Sequence, residues 1–259
     1  MSIASEIQRL KRAKLDIKQS LDEKGIEVGD ARISDYGQII DEASIGSGIE
    51  IDRYLKTVRF TSLNMFGKSE AVLNLDSITG SLVNLFQIVD EKSQNTMVEH
   101  LTINCPAVLT TINQMLYCQH PYTDNTLKRL TLNVNTQNCT NYLNAFTQLQ
   151  ALEIIDGSPL DFSSVTSANN TNAFPNCISL KEVRFVPNSI KVSIKFANSN
   201  LLSTNTTQSI IDGLATVDTA QTLTLHKDVK ILQSQVDSAN AKGWTIAGGT
   251  VVSEEEYYG

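Results

Sequence analysis

The stretch "TNAFPNCISLKEVRF", residues 171–185, joins two short patterns that recur along the chain. Its first half places Asn172 two residues before Phe174. Its second half follows Leu-x-x-Val-x-Phe, in which apolar and polar residues alternate as they do in a strand with one buried side. Because recurrence of such a unit determines the architecture of a chain, this repeated pair of patterns decides the fold.

The strand pattern occurs six times, and most copies fit Leu-x-x-Leu-x-Leu with conservative replacements. The copies are "YLKTVRF" (54–60), "AVLNL" (71–75), "VEHLTIN" (98–104), "LKRLTLN" (127–133), "LQALEII" (149–155) and "LKEVRFV" (180–186). Each copy has the length of one strand, and alternate residues of a strand face opposite sides. We therefore predict a series of short strands that share one apolar side.

The second pattern is an aliphatic-Asn-x-Phe block that lies between the predicted strands. The copies are "LNMF" (63–66), "VNLF" (83–86), "INQM" (112–115), "LNAF" (143–146) and "TNAF" (171–174), with spacings of 20, 29, 31 and 28 residues between their last positions. Such periods are typical of a leucine-rich-repeat solenoid, whose units must stack because one unit cannot bury its apolar side alone. We expect the Phe or Met to fill the far side of the core and the Asn to form a turn.

The two ends of the chain differ from the repeats. Residues 2–24 predict a helix that ends at Gly25, a second short helix contains Tyr36, and "IGSG" (45–48) is a flexible joint. The long helix has one apolar stripe, formed by Ile3, Ile7, Leu10, Ile17 and Leu21. This stripe either joins identical chains into a coiled coil, for which Ile at alternate core positions is compatible with a trimer, or packs against the second helix of the same chain.

Beyond residue 200 the sequence predicts a C-terminal α/β cap, since terminal repeats need a polar outer face. It contains a short helix at 206–215, a strand at 222–225, a second helix formed by "DVKILQSQVDSANAKGW" (228–244) and a last strand in "WTIAGG" (244–249). "VVSEEEYYG" (251–259) is predicted to be a loose tail. The α/β chain therefore divides into a helical segment (1–48), a leucine-rich-repeat solenoid (49–199) and a capping repeat with its tail (200–259).

Composition narrows the classes of partner. The chain has 259 residues and a net charge of -7, and its basic cluster "RLKRAK" (9–14) lies on a helix beside acidic residues, so we expect no nucleic-acid binding. It has no apolar run of membrane-spanning length, so we expect no membrane insertion. The N-terminus lacks the apolar core of a secretory signal. We therefore predict synthesis in a cytoplasm without a signal peptide.

Motifs for catalysis or metal binding are missing. The four cysteines are Cys105, Cys118, Cys139 and Cys177. They show no Cys-x-x-Cys spacing, so we expect buried free thiols and no metal site. There is no Gly-x-Ser-x-Gly elbow, phosphate-binding loop or calcium loop. We expect a protein that is not an enzyme and that uses no metal or cofactor.

The polar side of the predicted sheet is the candidate binding surface. If Leu101 and Ile103 point inward, their neighbours point outward. The same count along the chain gives the exposed residues Arg59, Thr61, His100, Thr102, Asn104, Arg129, Thr131, Asn133, Glu153, Glu182, Arg184, Thr224 and His226. Solenoids commonly bind through such a surface, and Asn, Thr and Arg can bond sugar hydroxyls. The alternative is a solvated face without a ligand.

"NAFPNCISLKEVRF" (172–185) resembles the repeat unit of BspA-like leucine-rich repeats, a resemblance that extends over about 54–196 and weakens where Met115 replaces Phe. The head "IQRLKRAKLDIKQSLDEKGIEVGDARISDYGQII" (7–40) is similar to the N-terminal segments of bacteriophage tail-fibre and minor virion proteins. The tail, from "TTQSIIDGLA" (206–215) to "AKGWTIA" (241–247), resembles C-terminal segments of phage repeat proteins.

These resemblances imply a virion structural protein, and no catalytic residues come with any of the three patterns. They imply a tail-fibre or other surface-fibre subunit that attaches to other virion proteins by its N-terminal helix and presents the repeats to a host-surface glycan or protein. The alternative that they imply is an architectural decoration or adaptor protein that binds only other virion proteins.

Overall fold

The computed structural model describes residues 14–15, 17–19, 49–52, 57–60, 70–75, 80–83, 85–88, 98–118 and 126–258. The chain divides into two compact units, Met1–Ile49 and Glu50–Gly259. In the first unit the described residues 14–15 and 17–19 are helical, and the Ile17 side chain is 43% exposed. The remaining residues of the apolar stripe, and the predicted second helix, lie outside the described residues. These stripe residues are Ile3, Ile7, Leu10 and Leu21. The coiled coil therefore stays a prediction.

The second unit contains a β-solenoid of about four turns, so a repeat solenoid is confirmed. Its strands are β1 Ile49–Asp52, β2 Thr57–Phe60, β3 Glu70–Asn74, β4 Phe86–Ile88, β5 His100–Val108, β6 Leu116–Cys118, β7 Arg129–Asn135, β8 Ile154–Gly157, β9 Ile194–Phe196, β10 Gln221–Leu225, β11 Lys230–Leu232, β12 Trp244–Ala247 and β13 Thr250–Val252. The helices among its described residues are a 3-10 turn at Ala168–Thr171, α1 Thr204–Gly213, α2 Gln233–Ala241 and α3 Glu254–Tyr258. Strands dominate, so the predicted α/β class is too helical.

Four strands form one parallel sheet in the order β3-β5-β7-β8, here called the front sheet. Its strands are in register, so that Leu73 pairs with Ile103 and Ile103 with Leu132. Each of these three side chains is buried, whereas their neighbours along the strand are exposed or half-buried. The alternation that predicted β3, β5 and β7 is therefore confirmed, and the apolar side of the front sheet faces the core.

Two further sheets complete the turns of the solenoid. One has the order β1-β2-β4-β6, in which β2 pairs with β4 and β4 with β6 in parallel. The other has the order β9-β10-β12 and is parallel. Single backbone bridges connect successive turns between the strands, as from Ser81 to Thr111 and from Thr111 to Asn141. Each turn of the chain is thus hydrogen-bonded to the next on more than one side, which fixes the stacking of the repeats.

The aromatic residues of the Asn-x-Phe blocks stack inside the solenoid. Phe146 and Phe174 are buried, with ring centroids 5.4 Å apart, and Phe196 continues the stack 5.1 Å from Phe174. The side chains of the earlier Phe residues, Phe66 and Phe86, lie outside the described residues. The expected core position is confirmed for Phe146 and Phe174, and Phe196 extends it into a turn without the Asn-x-Phe block.

The Asn-x-Phe alignment is one residue too early in the "INQM" block. Phe86 pairs with Leu116, not with Met115, so Leu116 has the Phe position in that turn. Both Met115 and Leu116 are buried, and Gln114 before them has a left-handed backbone (φ 53°). Two adjacent apolar residues cannot reveal from sequence which of them is in register.

Two of the predicted strands are shorter than their patterns. In "LQALEII" the strand starts only at Ile154, since Leu152 N–H donates to Leu149 O in a turn (3.1 Å). In "LKEVRFV" the chain forms only single bridges, at Glu182 and Phe185. At this level the next turn of the solenoid contributes helix α1 instead of a strand.

Helix α1 satisfies the edge of the front sheet with side-chain hydroxyls. Val183 N–H donates to Thr206 Oγ1 (3.1 Å), and Phe185 N–H donates to Ser209 Oγ (3.0 Å). The helix begins after Ser203, whose Oγ accepts from Thr206 N–H as an N-cap. Because an unpaired edge invites pairing with another chain, this helix closes one end of the front sheet.

Replacing Thr206 with valine is expected to lower the free energy of unfolding by about 2 kcal/mol. The two side chains have similar volumes, but valine leaves the buried Val183 N–H without an acceptor. Urea denaturation followed by circular dichroism measures the change. Thr219→Val, at an exposed position, is the matched control, and equal effects of the two substitutions would contradict this role of Thr206.

The C-terminal part agrees with the prediction in α1, β10 and β12 but differs in two places. The second helix begins only at Gln233, because Lys230–Leu232 forms β11, which pairs in parallel with β13. The predicted loose tail is ordered: it forms β13 and α3. Tyr257 is buried, donates its hydroxyl hydrogen to Thr204 O (2.9 Å) and accepts from Gln235 Nε2 (2.9 Å). Burial of this aromatic ring explains why the segment packs onto the solenoid.

Candidate recognition surface

The outward side chains of the front sheet form rows that cross its strands, because the strands are parallel and in register. The first row is Glu70, His100, Arg129, Ile154 and Glu182. The second row is Val72, Thr102, Thr131 and Asp156, and the third is Asn74, Asn104 and Asn133. We call these rows together the front face. The rows place charged, hydroxyl and amide groups on one surface.

Asp156 is the centre of a hydrogen-bonded network on the front face. Its Oδ2 accepts from Arg129 Nε (2.9 Å) and Nη2 (2.5 Å), and its Oδ1 accepts from Thr131 Oγ1 (2.6 Å). Arg184 lies beside it and donates to Gly157 O (2.8 Å). The network joins strands β7 and β8 and holds the Arg129 guanidinium in one orientation.

The electrostatic balance keeps Asp156 ionised. Partial burial acts to raise the pKa of its carboxyl, but hydrogen bonds from Thr131 and Arg129, with the positive charges of Arg129 and Arg184, hold that pKa below its usual value. The carboxylate therefore stays charged at neutral pH. The front face presents fixed charges of both signs side by side.

Replacing Asp156 with asparagine tests this balance. Because the folded-state pKa lies below the unfolded value of about 3.9, the ionised form stabilises the fold at neutral pH, and this contribution is lost as the pH falls through the folded-state pKa. We expect Asp156→Asn to lower the unfolding free energy by about 1 kcal/mol at pH 7. The difference from the native chain should shrink when denaturation is repeated towards pH 3, about a unit below the ordinary Asp value.

The exposed Asp218→Asn provides the control for Asp156→Asn, because it removes the same charge from a residue without a hydrogen bond among the described residues. An Asp156→Asn effect that is equal at pH 7 and in acid would contradict stabilisation by the ionised carboxylate.

Asparagine amides form a ladder along the third row. Asn104 Nδ2 donates to Asn74 Oδ1 (2.7 Å), and Asn133 Nδ2 donates to Asn104 Oδ1 (2.7 Å). Each donating amide uses one of its two N–H groups in the ladder. The second N–H of each donating amide and the side-chain oxygen of Asn133, Oδ1, can therefore bond water or a ligand.

The structure brings together most of the predicted binding residues but separates others. On the front face or beside it lie His100, Thr102, Asn104, Arg129, Thr131, Asn133, Glu182 and Arg184. Thr224 belongs to β10, which is part of a different sheet, and His226 follows the end of that strand, so neither lies on the front face. Arg59 lies in β2, also in a different sheet, and Thr61 is outside the described residues.

Glu153 lies one residue before the start of β8 and belongs to a separate line of charges. Lys181 Nζ lies 2.8 Å from its carboxylate, and Lys128 Nζ lies 3.1 Å from that of Glu99. The hydrogen bond and the charge of Lys181 lower the pKa of Glu153. These alternating pairs mark the edge of the front face.

Sequence patterns alone missed several residues of the front face. Asp156 precedes a Gly-Ser-Pro sequence that favours a turn, although counting outward from the buried Ile155 would have placed it in the second row. Glu70, Val72 and Asn74 follow the same alternation in β3 and could have been found in the same way. The alternation of the strands therefore identifies Glu70, Val72 and Asn74. Asp156 is not identified by it, because β8 begins at Ile154, later than the pattern "LQALEII" indicates.

An open groove of about 620 Å³ forms a second candidate site, away from the front sheet's three rows. It lies where the chain turns after β9 and after β10 and next to the turn that follows Phe174. Its lining includes Asn176, Ile178, Asn198, Asn200, Leu201 and His226. The structure thus assigns His226, predicted for the sheet surface, to this groove.

Buried thiols and metal ligands give no further site among the residues that the structure describes. Cys105, Cys139 and Cys177 are buried without disulfides, as predicted, and burial raises the pKa of the Cys177 thiol to about 12. The side chain of Cys118 lies outside the described residues. Within the described ranges, no three His, Cys, Asp or Glu residues are grouped as metal ligands, and no helix has the length and apolarity needed to cross a membrane.

Comparison with known proteins yields no match to any protein-family model, any curated protein or any solved structure. The chemistry of the front face and of the groove is therefore the basis on which a function can be assigned.

Proposed function

We propose that the chain is a non-enzymatic bacteriophage virion protein, a tail-fibre or other surface-fibre subunit, whose front face binds a glycan or protein of the host surface. The observation that supports this proposal best is the alignment of the Asp156 network and the asparagine ladder on one sheet. Solenoids commonly use an extended sheet surface for binding.

The front face suits recognition because its polar groups are already ordered. Asp156 and Thr131 hold each other through a 2.6 Å hydrogen bond, and each asparagine of the ladder is held by its neighbour. Ordering a free side chain at an interface costs about 0.5–1.5 kcal/mol, and groups that are ordered beforehand avoid this cost. Paired charges of both signs favour a polar partner over an apolar one.

The assignment of the solenoid to a particular repeat family is part of the same proposal. We assign the solenoid to the BspA-like leucine-rich repeats on the resemblance of residues 172–185, in which Phe174 and Leu180 are both buried. The N-terminal helix, with its apolar stripe, is proposed to attach the chain to other virion proteins and to join it into a homo-oligomer, with a trimer favoured. Light scattering with and without residues 1–48 tests that step.

Adsorption of particles to host cells tests binding by the front face. The purified full chain should compete with particles that contain it for the cell surface. Thr102→Arg places a bulky cation in the second row and should weaken this competition at least about tenfold, the loss that removes roughly 1.4 kcal/mol of binding. Asn138→Arg, on an exposed turn residue outside the front face, is the matched control and should compete like the native chain.

Two results would contradict the proposal. If Thr102→Arg competes as well as the native chain, the front face is not the binding surface. If a reconstruction of the assembled particle shows neighbouring virion subunits covering the front face, the chain has instead the architectural role of a decoration or adaptor protein.

A further inference from the structure

The groove is built by three successive turns of the solenoid. Phe196 pairs with Leu225 in the sheet, so the residues that follow them, Ala197 and His226, lie side by side. The neighbouring turn contributes Asn176, whose Oδ1 accepts from Asn198 Nδ2 (2.5 Å). Stacking of the repeats thus brings together residues that are far apart in the sequence.

The turns beneath the groove are held by buried hydrogen bonds. Ser199 and Cys177 are fully buried; Ser199 Oγ donates to Cys177 O (3.1 Å), and Cys177 Sγ donates to Phe146 O (2.9 Å). Asn176 has the left-handed backbone of a tight turn (φ 59°). Because the supporting turns are fixed in this way, the groove is preorganised.

The groove is neutral, although 19% of the chain's residues are charged. None of the described residues that line it is Asp, Glu, Lys or Arg. Its polar groups are three asparagine amides, the Ser179 hydroxyl and the His226 imidazole. This lining offers hydrogen bonds but no lysine or arginine for a phosphate or a carboxylate, and the Asp228 carboxylate lies 3.5 Å from His226 Nδ1.

His226 contributes a ring nitrogen to the groove. Its Nδ1 accepts from the Asp228 N–H (3.2 Å) and lies 3.5 Å from Asp228 Oδ2. The other ring nitrogen, Nε2, has no hydrogen bond among the described residues. Nε2 can therefore form a hydrogen bond with a ligand.

The apolar part of the groove consists of two aliphatic side chains. Ile178 is 44% exposed and Leu201 is 48% exposed, and both are among the few large apolar residues exposed in the described part of the chain. Asn200, also exposed, lies next to Leu201 and has no hydrogen bond among the described residues. A ligand that matches this pair needs a small apolar group next to hydrogen-bonding groups.

We propose that the groove binds a neutral saccharide that has an N-acetyl group. The acetyl methyl would pack on Ile178 and Leu201, while the amide and hydroxyl groups would bond Asn198, Asn200 and His226. A neutral sugar fits a lining without charges, and its hydroxyls can use both the donors and the acceptors of asparagine. This site is separate from the front face and does not depend on the function proposed for that surface.

Saturation-transfer NMR on the full chain tests the proposal with N-acetylglucosamine and N-acetylgalactosamine as probes. Glucose and galactose are the matched controls, because they differ only in having a hydroxyl in place of the acetamido group. The acetyl methyl protons should receive the strongest saturation at sugar concentrations of about 10 mM, where weak complexes are populated. Asn200→Ala combined with Leu201→Ala should weaken binding at least about tenfold.

Two further variants distinguish the groove from other surfaces. Asn138→Ala combined with Val251→Ala alters an exposed amide and an exposed aliphatic side chain elsewhere, and should bind like the native chain. Thr102→Arg on the front face should also bind the acetylated sugars like the native chain. A loss of competition by that variant in the adsorption experiment would then concern the front face and not the groove. Circular dichroism verifies that each variant is folded.

Three results would overturn the proposal. They are no transfer to either acetylated sugar on a folded native chain, equal transfer to glucose or galactose, and unchanged binding by the Asn200→Ala, Leu201→Ala double variant. An apolar peptide that binds the groove while neither acetylated sugar does would likewise replace the saccharide as its occupant.

Discussion

Replacing Gly157 with alanine is expected to lower the free energy of unfolding by about 4 kcal/mol. Gly157 has a φ of +88°, which costs an alanine about 1–2 kcal/mol. A Cβ atom here would also lie 2.4 Å from Leu132 O and 2.7 Å from Leu132 C in the preceding turn of the solenoid. Because both atoms belong to the backbone of β7, the clash can be relieved only by separating two turns of the solenoid.

Gly80→Ala is the matched control for this prediction. Gly80 has nearly the same backbone conformation, φ +87°, but its Cβ would meet only Thr110 Oγ1, at an ordinary 3.7 Å. We expect this variant to lose only about 1–2 kcal/mol, the cost of the left-handed conformation alone. Urea denaturation of both variants gives the comparison, and equal losses would show that the turns are not packed as closely as the structure has them.

Phe174→Ala is expected to have an effect of similar size, about 3–5 kcal/mol. The Phe174 ring lies in the middle of the aromatic stack, with Phe146 on one side and Phe196 on the other. Its removal leaves a cavity that the surrounding turns cannot fill, since the neighbouring rings are held by their own turns. The loss should therefore destabilise several repeats together.

Tyr258→Ala is the control for the aromatic stack, because this ring is 73% exposed. We expect it to change the unfolding free energy by less than about 0.5 kcal/mol. Denaturation followed by circular dichroism should show one transition for Phe174→Ala, shifted to lower urea. A loss as small as that of Tyr258→Ala would contradict a core shared by neighbouring turns.

The part of the fold that the sequence predicts is the part that local patterns determine. In β5 as far as Cys105, and throughout β7, every second residue is buried, so the strand period alone gives the inward and outward sides. The interval between these strands predicts stacking, because no single turn can cover its own Leu101 or Leu130. The buried Phe146 and Phe174 follow from the same repeat.

The features that the sequence does not predict depend on contacts between distant residues. The front sheet ends at Glu182 and Phe185 because Thr206 and Ser209, more than twenty residues later, satisfy its N–H groups. The tail is ordered because the Tyr257 hydroxyl meets Thr204 and Gln235. No local pattern encodes such pairings.

The candidate sites show the same division. His100, Thr102 and Asn104 could be assigned to the front face by alternation alone. The alignment of Thr102 with Thr131 and Asp156 in one row could not be assigned in this way, because it depends on the register between β7 and β8. The groove could not be found at all, since the three turns that form it meet only after the repeats have stacked.

Cross-linking of Thr102 to Thr131 tests the central claim, that successive turns stack in register with their polar side outward. These residues are paired in β5 and β7, and paired Cα atoms of neighbouring strands lie about 4.8 Å apart, within the range for a disulfide. In a Cys118→Ser background, Thr102→Cys with Thr131→Cys should form a disulfide under mild oxidation of the folded chain, identified by mass spectrometry. The native thiols of Cys105, Cys139 and Cys177 are buried and should not compete.

Thr102→Cys with Asn133→Cys is the control pair, with both residues on the front face but two positions out of register. The stacked solenoid predicts a disulfide in the first pair and little or none in the second. Absence of the Thr102–Thr131 disulfide, or equal cross-linking of the two pairs, would contradict the register of the front sheet and the recognition surface built on it.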